Sequence, residues 1–139
     1  MEGCVFCAMV AGKIPVAKVY EDDVALAFLD IGPLSDGHTL LIPKQHVATI
    51  HECKPEVLAQ VASRLGHVAG AVAGATKADG YNVLCNNGRA AGQVVDHLHF
   101  HIIPRRSDDG VFTEWPARKY EKGKIEELAS KIREKLANA

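Results

Sequence analysis

The chain has 139 residues, 47% of them hydrophobic and 24% charged, a balance that suits one buried core and argues against two full domains or an intrinsically disordered chain. Sixteen Lys and Arg against seventeen Asp and Glu leave a formal net charge of -1, so no diffuse positive field points to nucleic acid or an anionic membrane, and any anionic substrate must be held by local groups. No apolar run reaches the roughly 18 residues of a membrane span, and Met1-Glu2-Gly3-Cys4 has neither the basic start nor the apolar stretch of a secretory signal. The expected location is the cytoplasm, where Cys4, Cys7, Cys53 and Cys85 stay reduced and serve packing, reactivity or metal ligation.

Residues 4–12 can form a short helical turn. Ala17 to Tyr20 and Val24 to Leu29, bracketed by Glu21-Asp22-Asp23, read as two antiparallel strands of a hairpin. Turn signals at Gly32-Pro33 and Ser35-Asp36-Gly37 precede a third strand, His38 to Ile42, which Pro43 stops. Pro55 opens a helix, and Leu58, Val61, Leu65, Val68 and Val72 recur at spacings of three and four on one core-facing side. Ala62, Gly66, Gly70, Gly74 and Ala78 form a smooth stripe on that helix. Close packing on its own sheet is the first expectation for it, a helix-to-helix dimer contact the second. Asp79-Gly80 ends the helix, and Tyr81 to Cys85 make a fourth strand. His97 to Ile103 make a fifth, with His97, His99 and His101 on one face and Leu98, Phe100 and Ile102 on the other. Residues 105–120 lack periodicity and read as a loop. Ile125, Leu128, Ile132 and Leu136 mark an amphipathic C-terminal helix. The pattern is α+β: a five-stranded antiparallel sheet, one long central helix and a C-terminal helix, in one domain over 1–139.

Alternate side chains on a strand lie roughly 6.6 Å apart, so the three imidazoles of His97, His99 and His101 crowd one face. Histidine offers metal ligation, proton transfer or nucleophilic attack, and about three quarters of a free imidazole is neutral at pH 7. The preceding loop, Asn86 to Gln93, carries Gly88 and Gly92, which let backbone N–H groups meet an anion beside the side-chain donors Asn86 and Gln93. Cys4-Val5-Phe6-Cys7 is a C-x-x-C that fits half a zinc site, a redox pair or two packed thiols. His51 and His67 read as solvated, and Cys53 and Cys85 as inert.

Gly92-Gln93-Val94-Val95-Asp96-His97-Leu98-His99-Phe100-His101-Ile102-Ile103 resembles the signature of the histidine triad (HIT) family of nucleotide hydrolases and transferases. Ile14-Pro15, Tyr20 to Asp23, Phe28-Leu29-Asp30-Ile31 and Gly37 to Lys44 support it, so the likeness covers about residues 4–104. It implies a HIT-like fold, a homodimer, and cleavage of a bond to the α-phosphate of a purine nucleotide conjugate: a phosphoramidate, a dinucleoside polyphosphate or an adenylylated compound. The resemblance makes His99 the nucleophile of a covalent nucleotidyl-histidine intermediate. His101 would hold phosphate oxygens, with His97 and His38 supporting from behind. Asn86 and Gly92 would bind phosphate, Gln93 would sit near the bridging atom, and Asp30 would accept from ribose hydroxyls. Val5, Phe6, Phe28 and Ile31 would form the base pocket. Val94 stands where related branches commonly carry Ser or Thr, and offers only its backbone N–H. A nucleotide-sensing module with vestigial hydrolysis is the alternative, and an open zinc site on the three triad histidines a third reading.

The resemblance also extends to the cysteines. Some bacterial and archaeal members, and the related galactose-1-phosphate uridylyltransferases, complete a C-x-x-C zinc site with two histidines that match His46 and His97 here. It implies a closed structural zinc on Cys4, Cys7, His46 and His97, with no catalytic metal.

Overall fold

The computed structural model describes residues 1–112 and 114–139. The chain runs α1 (Val5–Val10), β1 (Lys18–Glu21), β2 (Ala25–Leu29), β3 (Thr39–Pro43), α2 (Pro55–Thr76), β4 (Gly80–Leu84), β5 (Phe100–Arg105) and α3 (Lys124–Ala137). The strands form one antiparallel sheet in the order β1-β2-β3-β5-β4. The expected fold class, α+β with a five-stranded antiparallel sheet, a long helix and a C-terminal helix, is the one observed. Thr113, inside the predicted loop 105–120, lies outside the described residues.

Each boundary has a local cause. Between β1 and β2, the Asp22 carboxylate accepts from the Val24 and Ala25 N–H groups at 2.8 and 2.9 Å, so the side chain closes the turn. At the other end of the helix sequence, α2 begins with Pro55 at its first turn and stops at Thr76, because Lys77 turns left-handed at φ 52°.

The sheet is covered on two sides. Ala25, Ala27, Leu41, Leu98, Phe100 and Ile102 pack with Val61, Val68, Ala69 and Val72 of α2, while Leu26, Phe28, Leu40 and Ile42 pack with Phe6 of α1. This double cover is why β2 and β3 read as unbroken apolar runs, Ala-Leu-Ala-Phe-Leu and Thr-Leu-Leu-Ile-Pro. Between them, Gly37 adopts φ +89°, and a Cβ there would meet Thr76 Cγ2 at 2.4 Å, so the β2–β3 loop lies directly on the end of α2.

Two expectations are corrected. The fifth strand begins at Phe100, not His97. Ahead of it the His97 N–H bonds Val95 O and the Leu98 N–H bonds Val47 O, which pulls the backbone out of the ladder. The face assignment survives, since Leu98, Phe100 and Ile102 all reach the α2 side. Secondly, the stripe on α2 does not pack on its own sheet: Gly66, Gly70 and Gly74 are exposed with nothing near the place of a Cβ, because Val61, Val68 and Val72 already occupy the sheet side. The C-terminal helix forms as expected, with its apolar face left open. Ile125, Ile132 and Leu136 are 60%, 59% and 70% exposed, and the helix is laced by Lys131–Glu127 and Arg133–Glu126 ion pairs. No helix of the described residues is long and apolar enough to cross a membrane.

Candidate active site

On the α1 side of the sheet a cavity of about 670 Å³ opens between α1, the end of β2, the segment 92–95 and the histidines. Its walls are apolar, with Phe6, Phe28, Leu40, Val94 and Val95 among them, and its polar side chains are Asp30, His99 and His101. No Lys or Arg lines it. Phe6 and Phe28 meet edge to face at 5.6 Å, and Phe6 stands edge to the His99 ring at 5.3 Å.

Hydrogen bonds fix the tautomer of each imidazole. His99 is buried, and its Nδ1–H donates to His97 O at 2.6 Å. The lone pair is therefore on Nε2, which has no protein partner. No buried side-chain polar atom among the described residues is left unpaired, so Nε2 opens to the cavity that His99 lines. His38 Nδ1 accepts from the Leu34 N–H at 3.0 Å, which leaves the proton of neutral His38 on Nε2. That nitrogen lies 2.8 Å from His101 Nδ1, so His101 in turn carries its proton on Nε2. Burial, with His99 and His38 alongside, pushes the His101 pKa down to about 4. Burial also lowers that of His38, against the pull of Asp30.

His97 faces elsewhere. Its Nε2–H donates to Pro43 O at 2.8 Å, and its Nδ1 stands 3.5 Å from Cys4 Sγ and 3.6 Å from Cys7 Sγ. His46 Nδ1 is 3.3 Å from Cys7 Sγ, and the four ligand atoms lie within 4.8 Å of one another. Metal bonds of about 2.3 Å to sulfur and 2.1 Å to nitrogen, arranged tetrahedrally, space S and N about 3.6 Å apart. The three sulfur–nitrogen separations match that spacing, so the four side chains can hold one ion, and the Pro43 carbonyl orients His97 for it. Asp30, His38 and His101 also cluster, but 2.8 Å between two ring nitrogens is a hydrogen bond, shorter than the roughly 3.4 Å between nitrogens sharing a tetrahedral ion.

The predicted loop donors are arranged differently from expectation. Gln93 is 2% exposed and turned inward: its Oε1 accepts from the Gly88 N–H at 2.7 Å, and its Nε2 donates to Ala48 O and Val95 O. It braces the loop and does not face the cavity. Asn86 donates to Gly92 O at 3.5 Å and lies outside the lining, while Gly92, at φ +90°, belongs to it. The Gly92 and Gln93 amides bond to Arg89 O and Gly88 O. The Val94 and Val95 amides, on the wall of the cavity, have no protein acceptor among the described residues. The Val94 N–H was anticipated, whereas the Val95 and Leu34 N–H groups were missed in the sequence because backbone direction carries no residue signature. Ile31 lines the rim but is fully exposed, and Asp30 Oδ1 accepts from the Gly32 N–H. Cys53 and Cys85 have thiol pKa values raised by burial, which keeps them protonated and unreactive. His51 and His67 are exposed.

A family model described as the HIT domain matches residues 11–108. The chain is 43% identical over 129 residues to the adenylylsulfatase HINT3 of Arabidopsis thaliana, covering 93% of this chain and 65% of that one, so it spans about two thirds of that relative. It is 42% identical over 134 residues to the adenosine 5'-monophosphoramidase hnt1 of Schizosaccharomyces pombe, covering 96% and 98% of the two chains. Among solved structures, a protein from Streptococcus mutans superposes with a TM-score of 0.93 at 41% identity, covering 98% of this chain and 87% of that one. A Zn-bound histidine triad family protein from Mycobacterium smegmatis superposes at 0.74 with 36% identity, over 98% and 96%. With His99 and His101 at one cavity, His97 beside the cysteines behind them, and the match running through the sheet that carries all three, the chain belongs to the HIT family.

Proposed function

We propose that the protein cleaves the bond to the α-phosphate of a purine nucleotide conjugate by double displacement through a nucleotidyl-His99 intermediate. The observation that carries this reading is the His99 ring: Nδ1–H is locked on a backbone carbonyl, and the lone pair of Nε2 opens into an apolar cavity. Attack by Nε2 leaves Nδ1–H in place, so the intermediate is a phosphoryl imidazolium hydrogen-bonded to His97 O, a good leaving group for the second displacement by water or another acceptor. The base would lie against Phe6, Phe28, Val5 and Ile31, with the ribose hydroxyls on Asp30. His101 Nε2–H, the Val94 and Val95 amides and the Gly92 backbone would hold phosphate oxygens, and Asn86 would support Gly92. The similarity to a monophosphoramidase and to an adenylylsulfatase supports an adenylylated substrate.

Cys4, Cys7, His46 and His97 would hold a structural zinc whose closed coordination supplies rigidity and leaves no position for a reacting water. It would tie α1 to the strand that precedes His99. The small face of α2 and the β4 edge, with Tyr81 and Val83 exposed, would meet a second copy in a homodimer, and the unpaired cysteines fit a cytoplasmic protein. The test is intact-protein mass spectrometry of wild type and His99→Gly after incubation with adenosine phosphoramidate and adenosine phosphosulfate, beside AMP release. An adenylyl adduct and AMP with wild type alone are expected. Nucleotide binding without adduct or AMP from either substrate would instead favour the sensing module.

A further inference from the structure

Resting on that reading, we infer that Ser35 is a positioning residue for the reaction: its hydroxyl, bonded to Pro104 O, holds the Leu34 amide on His38, and so makes His101 present a proton and not a lone pair to the phosphate.

The His38 and His101 rings share one proton across 2.8 Å, so their tautomers change together. In one arrangement His38 Nε2–H donates to His101 Nδ1, which leaves Nε2–H of His101 for the cavity that it lines. In the other, His101 Nδ1–H donates to His38 Nε2, His38 carries its proton on Nδ1, and His101 Nε2 offers the cavity a lone pair that would repel a phosphate oxygen. Burial keeps both rings neutral, so the choice falls to what surrounds His38. Its Nδ1 faces the Leu34 N–H at 3.0 Å, and the second arrangement would set two donors against each other there. Asp30 Oδ2, 3.7 Å from His38 Nε2, favours the same proton position from beyond hydrogen-bond reach.

A backbone amide can select a tautomer only while the loop that carries it stays in place. Leu34 lies between β2 and β3 and is 49% exposed, so its own side chain gives little anchorage. Ser35 supplies it. Its Oγ–H donates to Pro104 O at 2.7 Å, 69 positions away, and its carbonyl accepts from the His38 N–H at 3.0 Å.

The acceptor is available because of the sheet. β3 begins at Thr39, opposite Ile102 of β5, so two residues further along β5 the Pro104 carbonyl has no strand partner on that side, and Pro104 has no N–H to need one. The Ser35 hydroxyl takes the place of the missing strand. On the other side of the loop Gly37 lies against Thr76, so the segment that carries Leu34 is held between β5 and the end of α2. In the sequence Ser35 reads only as a turn residue, because its acceptor is so distant.

The experiment compares wild type with Ser35→Ala, Ser35→Cys and Ser35→Thr. Long-range proton–nitrogen NMR correlation of histidine-labelled protein reads the tautomer of each ring, and single-turnover adenylylation by adenosine phosphoramidate reads the first displacement. In wild type His38 and His101 should both be Nε2–H, with the Nδ1–H of His99 as internal reference. Ser35→Ala should cut the Nε2–H share of both rings together to roughly a third or less, leave His99 unchanged, and slow adenylylation by the same factor, ~3-fold to ~10-fold, since only the competent tautomer reacts. Ser35→Cys, close in shape with a weaker donor, should fall between, and carries the comparison should the alanine variant not fold. Ser35→Thr should restore both readouts. A Ser35→Ala protein that melts earlier yet keeps Nε2–H on both rings, or that changes tautomers without slowing adenylylation, overturns the inference. If wild type forms no adduct, the nucleotidyl-His99 reading fails by itself, and the Ser35 effect is then read in AMP affinity, which should fall by the same factor as the tautomer share.

Discussion

Gln93 is a glutamine doing the work of a short strand. Its amide joins the Gly88 N–H to Ala48 O and Val95 O, so one side chain ties the loop that precedes the triad to a segment 45 positions earlier in the chain. Replacement by Met keeps the volume but strands these buried partners, and should cost about 1–3 kcal/mol, read as a lower urea midpoint at unchanged slope. Gly37 is constrained by its backbone and by its neighbour. Gly37→Ala should cost about 1–2 kcal/mol for the left-handed backbone alone, plus the clash with Thr76 Cγ2. The Gly37→Ala, Thr76→Ala double variant should recover the second part only, measured by thermal unfolding. At this scale the sequence shows which residues carry chemistry and hides how they are aimed. His99 and His101 stand out by their spacing, whereas their tautomers depend on Leu34 N–H and the His97 carbonyl, contacts that leave no trace in residue identity.

The elements obey turn chemistry and periodicity closely, and depart from them where tertiary contacts intrude. The hairpin was legible because Asp22 belongs to a recognisable turn. Its wider role was not, since the same carboxylate also takes Tyr20 Oη–H and Arg64 Nε–H at 2.8 and 2.7 Å, the latter from α2. The Ala25 and Val24 amides and Arg64 hold the Asp22 carboxyl well below the usual carboxylate range. A depressed folded pKa means that this stabilisation is present above the unfolded value of 3.8 and is lost as pH falls below it. Asp22→Asn should be less stable than wild type at neutral pH, with the gap closing as the solution is acidified, followed by circular dichroism. A constant gap would show that the carboxylate charge is not what matters. The late start of β5 is of the same kind: alternation identifies its faces, but Val47 O capturing the Leu98 N–H decides where the ladder begins.

Over the whole molecule the sheet divides labour, with α2 and the main core on one side and α1, the cavity and the Cys/His cluster on the other. The C-x-x-C alone could not nominate its partners. His46 lies 39 positions from Cys7 and is brought beside it by β3, so only the family pattern pointed to it. Purified protein should contain about one zinc per chain, and Cys7→Ala should lose the metal and melt at lower temperature; metal analysis beside calorimetry checks both. The uncovered stripe on α2 predicts self-association. Gly70→Arg should shift a dimer to monomer in sedimentation velocity, and a monomeric wild type would remove the proposed interface.

Phe6 sits on α1 between Cys4 and Cys7, with its ring edge-on to His99 at 5.3 Å. Phe6 of the cavity wall and Cys7 of the proposed metal site thus share a single six-residue helix capped by Cys4, so a metal held there would bear on the cavity. Thermodynamic linkage makes that effect mutual: if a held α1 improves the grip on a nucleotide, a bound nucleotide must improve the grip on the ion by the same factor. Saturating AMP should therefore slow the loss of zinc to a chelator, making metal retention a reporter of cavity occupancy that needs no turnover.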